Sequence, residues 1–412
     1  MSVEGPVSVA VISRLPKPEI STAAFLMMMG VAMWIESPVI DLLSTSTTLA
    51  RSRQNFAAIS RYVWYLIAWV TIIHLLVVFT PIYWFVSDHL LGVERKVSET
   101  ARFGLAIMLP WSGFIGWRRY LQGVLIRSGR TKPVGIGTAV RMGTIGIVIG
   151  LLYLVTSLSG IEIAACALIT AVGAEAFYIH WASRITIRER FNPEIESLAP
   201  EIDSRKLFRF HTPLALTTMI MLSTSPLITA ALSRMPDPVR QLAAYQVAST
   251  LIWLMRTTVY ALPETVITLY KRETAAALRK FCVRLGLVAS GLMILLYSTK
   301  IDIWFFEVIL GAKAELSSLA HLAVISAAAL PFIGALQSYL RGTLTANHMT
   351  VSRLTAVTGN TVAFCAGLLV GIKLQGNGVM VAGISLSVSM SFELLMLSLS
   401  WRSGSRRLPA TT

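Results

Sequence analysis

The stretch SRLPKPEISTAAF at positions 13–25 returns later in the chain as SRMPDPVRQLAAY at positions 233–245. The shift that carries Ser13 onto Ser233 also superposes one arginine, two prolines and two alanines of the two segments. A second stretch, YLQGVLIRSGRT at 120–131, returns as YLRGTLTANHMT at 339–350, at almost the same separation. Two matches in the same order at nearly equal separations predict that the chain is a tandem duplication of one structural unit.

The composition places this duplicated unit in a membrane. Hydrophobic residues make up 55% of the 412-residue chain and charged residues only 14%, whereas soluble domains carry about 25% charged residues. The mean hydropathy is +0.67. Because a chain in lipid must satisfy its backbone hydrogen bonds internally, each of the recurring apolar stretches is predicted to be a helix. We therefore expect an all-α polytopic membrane protein.

The apolar stretches predict eleven full spans and a short first segment at 3–13, or six helices per repeat. We expect two six-helix bundles related by a pseudo-two-fold axis along the membrane normal, and such parallel repeats are typical of transporters with a midplane substrate site between the halves. The first segment is too short to span the membrane, so we expect about 10–20 further apolar residues to be encoded before Met1. The predicted domains are an N-terminal bundle, a cytoplasmic linker, a C-terminal bundle and a cytoplasmic tail, at 1–183, 184–209, 210–402 and 403–412.

The net charge of +15 reflects the topology of the chain. The loops that share a side with the linker carry 20 of the lysines and arginines, and the alternate loops carry 10. The positive-inside rule therefore predicts that both termini are cytoplasmic. No basic patch is interleaved with aromatic residues, so the sequence gives no sign of nucleic-acid binding.

The remaining six basic residues lie inside predicted spans. A charge at this depth is costly, so it is expected to face a water-filled cavity or a partner. One interpretation is a basic vestibule that binds an anion. The alternative is that Glu36 pairs with one arginine while Arg341 extends to the cytoplasmic interface. The six are Arg118, Arg119, Arg141, Arg256, Arg284 and Arg341.

Arginine suits anion binding because its planar fork donates two hydrogen bonds to a carboxylate or phosphate and stays charged. Arg118 and Arg119 are consecutive, so on a helix they point about 100° apart. We expect one to face the cavity and the other to pair with Glu36. The predicted substrate-binding residues are Arg118, Arg119, Arg141, Arg256, Arg341 and Asn360.

Three further features have interpretations of their own. Glu175 and Glu393 lie in the sixth and twelfth spans and are predicted to pair within their own halves. His74 is expected to be a hydrogen-bonded core residue. Gly146 and Gly150 form a GxxxG pair, which predicts a helix-packing face.

Two segments, WIESPVIDLLSTSTTLARSRQNF at 34–56 and GWRRYLQGVLIRSGRT at 116–131, carry a family resemblance. Together with the two six-helix repeats, they resemble the MOP superfamily of exporters and flippases, which includes the MATE drug exporters. Within it, the chain is most similar to bacterial relatives of the progressive ankylosis transporters. The resemblance implies a V-shaped pair of bundles, rocker-switch alternating access and export of an organic or phosphorylated solute. Since MATE-type transporters use an intramembrane carboxylate, it also implies proton or sodium coupling at Glu36 or Asp41.

The expected function is thus secondary active export of an anionic or phosphate-bearing solute. The alternatives are a flippase for a lipid-linked oligosaccharide and a multidrug exporter. An integral membrane enzyme fits least, because the sequence has no metal-ligand cluster and no Ser/His or Cys/His arrangement. We expect no cofactor and no metal.

Overall fold

The chain folds into helices separated by short turns. The computed structural model describes residues 4–190, 203–260, 262–270, 273–347 and 349–405, and these ranges contain no strand. The helices up to residue 190 are α1 Glu4–Ile12, α2 Pro18–Ile40, α3 Leu42–Leu49, α4 Arg53–Phe79, α5 Ile82–Trp84, α6 Arg95–Ile107, α7 Trp111–Arg127, α8 Lys132–Val155 and α9 Gly160–Arg190. Those after it are α10 Ser204–Leu222, α11 Thr224–Leu232, α12 Pro238–Tyr260, α13 Leu262–Leu269, α14 Ala275–Ser298, α15 Ile301–Trp304, α16 Ala314–Ser326, α17 Leu330–Ala346, α18 Thr350–Leu374 and α19 Gly378–Ser405.

The tandem repeat is visible in the backbone. The shift that carries Ser13 onto Ser233 also carries the bounds of α2 and α3 onto those of α12 and α13. Between the paired prolines that open α2 and α12, Lys17 and Asp237 both take left-handed backbone, with φ of 55° and 53°. π-helical turns follow α5 and α15, and they end near Gly92 and Gly311, with φ of 67° and 70°. Both copies of the unit therefore fold alike, even where left-handed geometry is uncommon for a residue with a side chain.

The expected all-α membrane fold is confirmed. Among the described residues, eight helices are long and apolar enough to cross a membrane, or nine if the bent pair α16 and α17 forms one span. The predicted fourth span, 103–126, is divided between α6 and α7, and the break lies at Pro110. A proline cannot donate the backbone hydrogen bond that a continuous helix requires.

The helices group into two compact units. The first unit is Leu15–Pro226, and the second unit joins Met1–Arg14 to Leu227–Thr412. In the first unit α10 packs on α2, where the indole of Trp34 donates to Ser223 Oγ at 2.9 Å. In the second unit α1 packs on α12, and Arg14 Nη2 donates to the Val308 carbonyl at 2.7 Å. Residues 191–202 of the predicted linker and 406–412 of the predicted tail lie outside the described residues.

Glycine packing occurs at a different place from the predicted GxxxG pair. A Cβ at Gly146 or Gly150 would meet no described atom within 4 Å, so the predicted packing face is wrong. Two of the close approaches are at Gly123 and Gly342, the glycines of the repeated YLQGVL and YLRGTL motifs. A Cβ at Gly123 would lie 2.5 Å from the Leu43 carbonyl oxygen of α3, and one at Gly342 would lie 3.0 Å from a carbonyl oxygen of α13.

Replacing Gly123 with alanine is expected to lower the free energy of unfolding by about 1–3 kcal/mol, because α7 must move away from the α3 backbone. The matched control is Gly146→Ala, which has open space and gains up to about 1 kcal/mol of helix propensity. Thermal unfolding in detergent measures both changes. Equal melting temperatures for the two variants would contradict the close packing of α3 on α7.

Candidate functional site

The first unit holds a buried carboxylate between three helices. Glu175 on α9 accepts from Arg118 Nη1 on α7, and Arg141 Nη1 on α8 lies 3.4 Å from the same carboxylate oxygen, Oε2. Gln122 Nε2 donates to the other oxygen, Oε1, at 3.1 Å. Arg118 and Gln122 are four residues apart, so they share one face of α7. We call these four residues the first cluster; Glu175 and Arg118 are only 1% and 3% exposed.

The second unit holds a corresponding arrangement around Glu393 on α19, which is fully buried. Arg341 Nε on α17 donates to Glu393 Oε1 at 2.9 Å. Gln337 Nε2 on α17 and Asn360 Nδ2 on α18 donate to Oε2 at 3.2 Å and 3.0 Å. We call these four residues the second cluster. Glu175 and Glu393 each pair within their own half, as the sequence predicts.

The two clusters occupy equivalent positions of the repeat but differ in charge. An arginine and a glutamine stand one helical turn apart on one helix of each cluster, and their order is reversed between the two clusters. A further arginine of the first cluster corresponds to an asparagine of the second. The first cluster thus has two arginines for one carboxylate, whereas the second has one arginine for one carboxylate. The alignment of the YLQGVL and YLRGTL motifs, with a slip of one position before α19, superposes Arg118 on Gln337, Gln122 on Arg341, Arg141 on Asn360 and Glu175 on Glu393.

Glu36 and Arg119 lie beside the first cluster. Glu36 on α2 is 1% exposed and interacts electrostatically with both Arg118 and Arg119. The sequence predicts that one of the two arginines pairs with Glu36; the ion pair of Arg118 is instead with Glu175. With Arg119 and Glu36 included, three arginines face two carboxylates, which leaves one excess positive charge. This excess lies in a low-dielectric interior, where a nearby anion is strongly attracted.

The other predicted substrate-binding residues lie away from the first cluster, in the second unit. Arg256 lies over the Tyr260 ring at 5.6 Å, and its Nη2 lies 3.6 Å from Met390 Sδ, one turn before Glu393. Arg341, for which extension to the membrane interface was one interpretation, pairs with Glu393 instead. The structure therefore places Arg256, Arg341 and Asn360 in the second unit, around α17–α19.

Asp41 lies at the break between α2 and α3, next to a histidine that is not among the predicted site residues. His211 Nε2 of α10 donates to the Pro38 carbonyl at 2.8 Å, while Nδ1 lies 2.9 Å from Thr45 Oγ1. Asp41 interacts electrostatically with this imidazole. His211 therefore bridges the two sides of the break. No local sequence pattern predicts this role, because the partners of His211 are distant in sequence. His74, by contrast, is the predicted core residue, with Nε2 3.1 Å from the Leu105 carbonyl.

Each cluster consists of a carboxylate held by cationic or amide donors. In the described ranges, no group of three His, Cys, Asp or Glu side chains could hold a metal ion. What the arrangement can do is bind an anion reversibly, because guanidinium and amide groups donate hydrogen bonds without chemical change.

The fold and the buried charges define a class, namely polytopic membrane proteins built from two repeated helical bundles with intramembrane arginines. Solved structures of this fold include transporters and a flippase. An inward-facing MATE multidrug resistance transporter of the MOP superfamily matches with a TM-score of 0.72 and 12% identity, over 99% of this chain and 94% of its own. The lipid II flippase MurJ in an inward closed conformation matches with a TM-score of 0.68 and 14% identity, over 97% and 85%.

A MOP superfamily transporter from Pyrococcus furiosus, described as having a binding pocket of reversed polarity, matches with a TM-score of 0.54 and 15% identity, over 97% of both chains. No family model and no curated protein matches the sequence. At these identities the likeness shows that the chain has the fold of the MOP superfamily transporters.

Proposed function

We propose that the protein is a secondary active transporter that exports an anionic or phosphate-bearing solute by alternating access. The observation that carries this proposal is the first cluster, where Arg118 and Arg141 share a single buried carboxylate. Buried intramembrane charges are costly and mark substrate or ion pathways. A positive excess favours a negatively charged substrate.

The structural neighbours support transport. The MATE transporters of this fold have been solved in inward-facing and outward-facing conformations, which is the behaviour expected of alternating access. The pocket of the Pyrococcus furiosus protein, whose reversed polarity is described as suggesting a different function, supports the idea that pocket polarity varies within this fold. Multidrug export is the alternative that the MATE neighbours support.

A second candidate function is flipping of a lipid-linked substrate. The MurJ neighbour supports it, since MurJ is described as a lipid II flippase. Arginines would also suit a lipid-linked pyrophosphate. Within the superfamily, we propose that the chain lies near the progressive ankylosis transporters, on the basis of the ESP motif at 36–38 and the GWRRYLQGVLIRSGRT stretch.

We propose Arg118, Arg119, Arg141, Arg256, Arg341 and Asn360 as substrate-binding residues. Glu36 and Asp41 are the proposed coupling residues for a proton or sodium gradient, because both are intramembrane carboxylates. On the charge asymmetry of the loops, we place both termini in the cytoplasm. Labelling of a Ser204→Cys variant by a membrane-impermeant thiol reagent in intact cells would contradict that placement.

A flux assay in proteoliposomes tests the proposed function. Citrate, pyrophosphate, nucleotides and a cationic dye are offered in turn, with a pH or sodium gradient imposed. We expect uptake or release of at least one anion that depends on a gradient, and no movement of the dye. A labelled lipid-linked pyrophosphate in the same vesicles tests the flippase alternative. Transport of the dye without transport of any anion would overturn the proposal.

A further inference from the structure

The first cluster has a defined net charge, and this charge restricts the valence of its ligand. Arg118 and Arg141 approach one oxygen of Glu175 from two different helices, α7 and α8. Their side chains are 4% and 6% exposed, and that of Glu175 is 1% exposed. Glu36 and Arg119 beside them contribute opposite charges. The charges of these five residues therefore sum to one positive charge held away from water.

The cluster also has donors that Glu175 does not use. A guanidinium has five N–H donors in a fixed plane. Arg118 Nε is buried and has no hydrogen-bond partner among the residues that the structure describes. Glu175 Oε1 already accepts from Gln122, and the carboxylate leaves this donor of Arg118 unused. A second oxyanion could accept the remaining hydrogen bonds.

We propose that the first cluster binds a single singly charged oxyanion group, a carboxylate or a phosphodiester, and that Glu175 sets this valence. This inference rests on the proposed anion transport. One negative charge neutralises the cluster, whereas two would leave a net negative charge in a low-dielectric site, which is costly. The second cluster, with one arginine for one carboxylate, is already neutral and has no such preference.

Two substitutions change the charge of the first cluster in opposite directions. Glu175→Gln keeps the shape and raises the net charge by one, so the doubly charged ligand should become the better match. Arg141→Asn copies the second cluster, where Asn360 occupies the equivalent position, and makes the site neutral. Because the second cluster is folded with that arrangement, Arg141→Asn is expected to fold, so the proposal can be tested even if Glu175→Gln does not fold.

The experiment compares ligands of nearly equal size that differ by one charge. Tryptophan fluorescence of the purified protein in detergent at pH 8 measures the affinities for monomethyl succinate and succinate. We expect the wild type to prefer the monoanion by about tenfold or more. In Glu175→Gln the preference should reverse, and in Arg141→Asn affinity for both anions should fall at least about tenfold. Glu189→Gln, which removes an exposed charge from the same helix, is the matched control and should behave as the wild type.

A second pair of probes shows whether the ligand is a lipid headgroup or a soluble anion. Phosphatidylglycerol and phosphatidic acid present the same contrast in charge on a lipid headgroup. If the protein prefers the first of these lipids but shows no preference between the two soluble anions, the ligand is a lipid. If the wild type binds anions but the preference is the same in all variants, the valence inference is wrong and the proposed function stands. If the wild type binds no anion of either pair, the proposed function fails as well.

Discussion

Replacing Arg341 with alanine is expected to lower the free energy of unfolding by about 3–5 kcal/mol, the cost of leaving a buried charge without its partner. Glu393 is fully buried, and without Arg341 it keeps only the amides of Gln337 and Asn360 among the described donors. Amide donors do not compensate a full negative charge. Chemical denaturation in mixed micelles, followed by helix content, measures the loss.

The double variant Arg341→Ala with Glu393→Gln should recover most of this stability, because the uncompensated charge is removed. Gln122→Ala is the matched control, since Gln122 occupies the position of Arg341 in the first cluster. Glu175 there keeps both of its arginines, so the expected loss is only about 1–3 kcal/mol. An Arg341→Ala variant as stable as Gln122→Ala would show that the ion pair with Glu393 contributes no stability.

Removing the side chain of Arg118 is expected to lower anion flux, whereas removing that of Arg119 is expected to lower the folded yield. In Arg118→Ala, Glu175 is still held by Arg141 and Gln122, so the folded yield should stay near that of the wild type. Anion flux should fall by about tenfold or more, because the cluster loses both its excess charge and a bidentate donor. Arg118→Lys should retain part of the flux, since the charge remains but the planar fork does not.

Arg119→Ala should instead lower the folded yield, because Glu36 loses a neighbouring positive charge. Adding Glu36→Gln to that variant should restore part of the yield. Flux per folded molecule in proteoliposomes and the monodisperse fraction in size-exclusion chromatography separate the two effects. Normal anion flux in both alanine variants would rule out the basic site.

The duplication could be predicted from the sequence because the repeated motifs hold residues that the backbone requires. The prolines around Lys17 and Asp237 fix the same left-handed turn, and Gly123 and Gly342 allow two helices to touch. Such residues are constrained by geometry that is identical in both halves. Gly146 and Gly150 match a packing motif by spacing alone, and spacing does not say which face of a helix is covered.

The clusters could be predicted only in part. Intramembrane arginines are conspicuous in hydropathy, so the sequence selects Arg118, Arg141 and Arg341. It does not show which of the two adjacent arginines lies near Glu36, or that Arg118 pairs with Glu175, because depth along a span says nothing about the direction in which a side chain points. The glutamines escape notice for another reason: Gln122 and Gln337 are ordinary polar residues until alignment of the two repeats places them opposite arginines.

The membership of α1 in the second unit has a consequence for biosynthesis. Arg14 donates to the carbonyl of Val308, which is 294 residues further along the chain. At about 5–20 residues per second, a ribosome needs about 15–60 s to add that much chain. Until then Arg14 cannot make this contact, although α12 is synthesised earlier. Slowing elongation before residue 308 would lengthen this interval.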